Sequence, residues 1–112
     1  MHLKRLAVLL GAVAVASCSS DPSGPSGGHS TTITVSNNFF NPTPDTVAAG
    51  VVTFSWSSAS NTHNVTWDSG PNAQTNSGTM ATGTFQATLV QGTYHYHCSV
   101  HGASMSGTIV VQ

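Results

Sequence analysis

Residues 94–105 read YHYHCSVHGASM and bring one cysteine, three histidines and one methionine into twelve positions. Thiolate, imidazole and thioether are soft or borderline donors, so a stretch this rich in them is a candidate for holding a transition metal. Alternation sorts the donors. If Tyr94, Tyr96 and Cys98 face a core, His95 and His97 point away from it, because successive side chains of a strand take opposite faces. His101 lies past the end of that strand, and Met105 follows across Gly102, Ala103 and Ser104, which read as a loop. Cys98, His101 and Met105 can then fold around one point. His63 can add a fourth donor from another strand, since in HNVTW it shares a side with Val65 and Trp67.

The chemistry of that set selects the ion. Two imidazoles, one thiolate and a thioether match a trigonal His₂Cys site with a weak axial methionine, the blue-copper arrangement. Zinc is the alternative metal, but structural zinc takes four strong ligands, and methionine is a poor one. Four protein donors leave no open position for a substrate, which argues against metal-assisted hydrolysis and leaves one-electron transfer, which needs no such position. Met80, in SGTMATG, is the other sulfur of this region and reads as a core plug ahead of a strand.

The elements that must position these residues are strands. TTITVS alternates; VVTFSWSS sets Val52, Phe54 and Trp56 on one face; GTFQATL offers Phe85, Ala87 and Leu89; GTIVVQ closes the chain. Thr, Val and aromatic residues favour pleated, half-buried surfaces. No segment after Thr31 carries a helical stripe. Short strands between Gly, Pro, Asn and Ser clusters predict an all-β, antiparallel Greek-key sandwich of about eight strands. Phe39 and Phe40 in NNFFNPTPD are expected to pack near a sheet edge, with Pro42 and Pro44 stopping further pairing.

Composition limits the rest. Lys4 and Arg5 are the only basic residues, and both precede the apolar run LAVLLGAVAVAS. That order is an export signal over residues 1–17. Val15, Ala16, Ser17 and Cys18 resemble a bacterial lipobox, so Cys18 is the expected lipidation site; an ordinary secretory signal is the plainer alternative. Residues 18–30, rich in Ser, Gly and Pro and including His29, read as a flexible tether. Residues 31–112 form the domain. The processed chain is then free of lysine and arginine, which excludes nucleic-acid binding by counterion release. With Cys18 acylated, Cys98 stands alone in an oxidising compartment and needs protection, by a metal or, alternatively, by a Cys18–Cys98 disulfide.

HNV at 63–65, YHYHCSVH at 94–101 and MSGTIVV at 105–111 together resemble the cupredoxins, the small blue-copper proteins that include plastocyanin and amicyanin. The resemblance spans Thr31 to Gln112. It implies one copper ion held by His63, Cys98 and His101, with Met105 as the long axial ligand. The gap of three residues between His101 and Met105 falls between the four of plastocyanins and the two of amicyanins. The resemblance also implies that Asn64, helped by Ser99, ties the His63 segment to the Cys98 loop, and that electrons leave through His101. His97, outward-facing and adjacent to Cys98, offers a second exit, with a plain surface histidine as the alternative reading. The expected protein is thus a monomeric electron carrier and not an enzyme. It is exported, held by a lipid anchor facing the periplasm or cell exterior, and docks redox partners through transient apolar contacts. A copper chaperone or store, a cysteine enzyme built on Cys98, and a metal-free adhesive sandwich are the competing readings.

Overall fold

The computed structural model describes residues 28–56, 59 and 61–112. The expected export signal, Cys18 and most of the tether lie outside the described residues. Eight strands follow in order: β1 Thr32–Ser36, β2 Phe39–Asn41, β3 Asp45–Val47, β4 Gly50–Ser55, β5 Thr66–Ser69, β6 Thr84–Leu89, β7 Gly92–Cys98 and β8 Gly102–Val111. They form two four-stranded sheets, β2-β1-β4-β6 and β3-β8-β7-β5. Most pairings are antiparallel, but β1 runs parallel to β4 and β3 parallel to β8. Alternation along a strand is blind to that distinction, because it reports only which side chains face inward.

The inward faces are those the period-two pattern marks. Ile33, Val35, Val52, Phe54, Ala87 and Leu89 come from the first sheet, and Tyr94, Tyr96, Cys98, Met105, Ile109 and Val111 from the second, all buried. The sheets interlock through aromatic edges. Phe54 meets Tyr96 with ring centroids 5.2 Å apart at 83°, and Phe40 meets the same ring at 4.8 Å. Phe39, its neighbour on β2, stays exposed. Across the β7–β8 ladder Gly107 pairs with Tyr96, and a Cβ there would collide with the Tyr96 ring and hydroxyl. Burial raises the Tyr96 pKa well above that of a free phenol, against a smaller opposing effect of the Thr43 hydroxyl, so Tyr96 packs as a neutral group.

Pairing begins before β1. Gly28 bridges Asp45, with Gly28 N–H donating to Pro44 O at 2.9 Å and Thr46 N–H to Gly28 O at 2.8 Å. His29, although exposed, brings its ring Nδ1 to 3.2 Å from Thr46 O. Ser30 N–H donates to the fully buried Asp45 carboxylate at 3.0 Å. The end of the Ser/Gly/Pro stretch is therefore stitched to β3.

Candidate metal centre

Each donor is set by a different local device. His63 lies ahead of β5 in an isolated bridge to Met80, with reciprocal backbone hydrogen bonds of 3.0 Å. The indole N–H of buried Trp56 donates to His63 O at 3.2 Å, closing off the remaining side of that backbone. Cys98 is the last residue of β7. The turn after it is tight: His101 N–H donates to Cys98 O at 3.2 Å, Ser104 Oγ donates to His101 O at 2.7 Å, and Gly102 takes φ 63°. That left-handed conformation suits glycine, which lacks the Cβ that penalises other residues there.

Gly102, Ala103 and Ser104, read from sequence as a loop, are the first residues of β8. The ladder pairs Cys98 with Gly102 but His97 with Ser106, so residues 103–105 are extra residues in a register break. Such a break keeps extended backbone while letting the chain swing, which alternation cannot reveal. Met105 emerges from it fully buried in the core.

Three ligand atoms converge. The donor atoms of His63, Cys98 and His101 all lie within 4.8 Å of one another. Cys98 Sγ is 3.9 Å from His63 Nδ1 and 3.7 Å from His101 Nδ1. One ion at roughly 2.0–2.1 Å from each nitrogen and 2.3 Å from sulfur, with ligands about 120° apart, requires an N···S separation of about 3.8 Å. The two observed N···S separations bracket that value, so each imidazole is placed to share one ion with Cys98. The two imidazoles lie 4.9 Å apart between centroids. His63, Cys98 and Met105 are fully buried, while His101 is partly exposed.

Hydrogen bonds fix which atoms face inward. His63 Nε2 is 3.2 Å from Asn37 Oδ1, which holds the N–H on that nitrogen and leaves Nδ1 as the electron-pair donor. Burial, and then the neighbouring His101, lower the pKa of His63 below its usual value, keeping the ring neutral. Asn64 N–H points at Cys98 Sγ at 3.5 Å. The Asn64 side chain binds both segments: its Oδ1 accepts from Ser99 N–H at 2.9 Å and from Thr66 Oγ1 at 3.0 Å. Its Nδ2 donates to Ser99 Oγ at 2.7 Å and to Thr79 Oγ1 at 3.0 Å. Thus Asn64 and Ser99 clamp the Cys98 turn to the His63 segment.

Three contributors carry no donor motif and escape a sequence reading. Asn37 sits in the two-residue turn between β1 and β2, where Asn38 adopts φ 69°. The Asn-Asn pair does mark a tight hairpin, but nothing local says that the turn abuts His63. Met80 acts through its backbone and is half-buried, packing against the core as expected of it. Trp56 reads as core and does pack there, yet its N–H serves the site. His95 and His97 point outward on β7, and His97 Nδ1 lies 2.8 Å from Asp68 Oδ1.

The donor set His63, Cys98, His101 and Met105 is that of one type 1 copper site. The chain resembles solved structures of copper proteins. It is 24% identical to a purple cupredoxin from Nitrosopumilus maritimus, with a TM-score of 0.61 over 72% of this chain and 98% of that one. It is 26% identical to a pseudoazurin from Sinorhizobium meliltoi, with a TM-score of 0.59 over 72% of each chain. A copper-containing nitrite reductase from Thermus scotoductus SA-01 also matches, at 20% identity and a TM-score of 0.60 over 72% of this chain, which spans only 22% of that protein. No curated protein matches the sequence. Residues 6–111 match the family model described as a cupredoxin-like domain. Sandwich, donor convergence and family model agree, and the chain belongs to the cupredoxin family.

Proposed function

We propose that this protein is a type 1 copper electron-transfer protein, a one-electron carrier and not an enzyme. The observation that carries the reading is the convergence of two imidazole nitrogens on one buried thiol sulfur. Copper held by His63 Nδ1, Cys98 Sγ, His101 Nδ1 and, more weakly, the Met105 sulfur would supply a Cu(I)/Cu(II) couple. The protein's part is rigidity. Asn37, Asn64 and the Met80 bridge hold the donors from three sides, so little needs to move when the charge changes. Burial of His63, Cys98 and Met105 excludes water, while His101 alone of the four reaches solvent. Electrons therefore leave through His101, beside exposed Val100 and Ala103, where a partner docks by a small, transient apolar contact. A chaperone or store must release its metal, and a centre with three fully buried donors is poorly built for that.

We further infer that the domain is a monomer exported and anchored by acylated Cys18, with the stretch from Cys18 up to Gly28 as its tether, since Gly28, His29 and Ser30 bond to the β3 region. Cys18→Ser should release the protein into the soluble fraction or block its processing; a processed, membrane-bound variant would refute the anchor. The function itself is tested by visible absorption of the copper(II)-loaded protein. Thiolate-to-copper charge transfer gives an intense band that Cys98→Ser abolishes. A variant that keeps the band would overturn the assignment.

A further inference from the structure

Two imidazoles that the buried centre does not use stand together on the outer face of the strand that carries it. His95 and His97 are two residues apart on β7, both outward, about 6.7 Å apart along the strand. That spacing lets two rings close on one ion by side-chain rotation alone. A carboxylate has been inserted between their levels. β5 pairs Thr66 with His97 and Ser69 with His95, and the register breaks between Trp67 and Ser69, so Asp68 is the extra residue of a bulge. Bulges re-aim side chains, and this one brings Asp68 Oδ1 to 2.8 Å from His97 Nδ1.

The charge pattern gives that carboxylate few partners. Lysine and arginine occur only at positions 4 and 5, so the domain has imidazole alone with which to answer Asp68. A carboxylate bonded to one ring nitrogen of a histidine orients the ring and leaves the other nitrogen for a metal, a pairing typical of metal-ligating histidines. With Nδ1 facing Asp68, Nε2 is the His97 nitrogen left to donate to an ion. His95 is exposed and leans the other way, its Nδ1 3.1 Å from Thr108 Oγ1, an exchangeable contact at the surface. Beside His97 and Asp68 an open depression of about 270 Å³, also lined by Gly102, Ala103 and Ser106, gives an ion on His97 room for its waters, and His95, which stands outside it, reaches that ion by turning away from Thr108.

We propose that His95 and His97, with Asp68 orienting His97, form a second, surface site for a divalent ion of the imidazole-preferring kind, copper(II), nickel(II) or zinc(II). It is distinct from the buried cluster and lies on the opposite face of β7.

The test uses the full chain carrying Cys98→Ser, so that the buried cluster lacks its thiolate whatever it binds. Nickel(II) is the probe, followed by calorimetry and by paramagnetic broadening of the histidine ring NMR signals. One equivalent should bind, broadening His95 and His97 first. Adding His95→Gln or His97→Gln should weaken binding by more than about tenfold, and Asp68→Asn by about tenfold, the low end for a carboxylate that orients a ligating histidine. His29→Gln should leave binding unchanged. Affinity that survives both His95→Gln and His97→Gln, or nickel that broadens His63 and His101 while His95 and His97 stay sharp, would overturn the site.

Discussion

Removing the Asn64 side chain should cost more than any other polar truncation near the centre. Asn64→Ala deletes four hydrogen bonds of 2.7 to 3.0 Å that join the His63 segment to Ser99, Thr66 and Thr79. Each such bond contributes about 0.5–1.5 kcal/mol net. Ser99 and Thr79 are exposed and recover water, which places the sum near the low end, about 2–3 kcal/mol. For a domain of this size 1 kcal/mol moves the midpoint by about 4–8 °C, so the loss should lower Tm by roughly 10–20 °C. Thermal unfolding of the chelator-treated protein is the assay, because ligation then adds nothing to stability. Thr66→Val, which deletes one of the four bonds, should cost about 1 kcal/mol or less. If Asn64→Ala melts within about 3 °C of the parent, or Thr66→Val costs as much, the clamp does not hold the two segments together.

Gly107→Ala should destabilise by about 2–3 kcal/mol in denaturant titration, because its methyl meets a Tyr96 ring already wedged by Phe40, Phe54 and Trp67; near-neutral behaviour would show that the ring can yield. Met105→Leu should retain copper and raise the reduction potential, measured by voltammetry, whereas loss of copper would make Met105 more than a weak axial donor. The chelator-treated protein should lose stability as pH falls below about 6.5. His63 has a folded pKa below the unfolded value of 6.5, so the unfolded chain takes up the extra proton there and is favoured. A midpoint that is flat between pH 7.5 and 5 would contradict this. Ala103→Glu should slow electron transfer to a redox partner, with the parent rate responding only weakly to salt, since the domain has no lysine or arginine to steer docking; rates that collapse with salt and ignore position 103 would move the exit elsewhere.

By itself the sequence determined the faces of the strands and the identity of the donors. Alternation is a local property of extended backbone, so Tyr94, Tyr96 and Cys98 had to turn one way and His95 and His97 the other. Donor chemistry is a property of residue type, so a cysteine, a histidine and a methionine near one turn, with a second histidine from another strand, named the metal before any geometry was known. Only the tertiary structure decided how distant segments meet. Parallel β1–β4 and β3–β8 pairs, and the Asn37 turn set against His63, join residues far apart in sequence, and no local pattern encodes such partners. Register breaks are equally hidden. One takes Gly102 to Ser104 from an expected loop into β8, and another lifts Asp68 toward His97, because the placement of an extra residue depends on the neighbouring strand it fails to match.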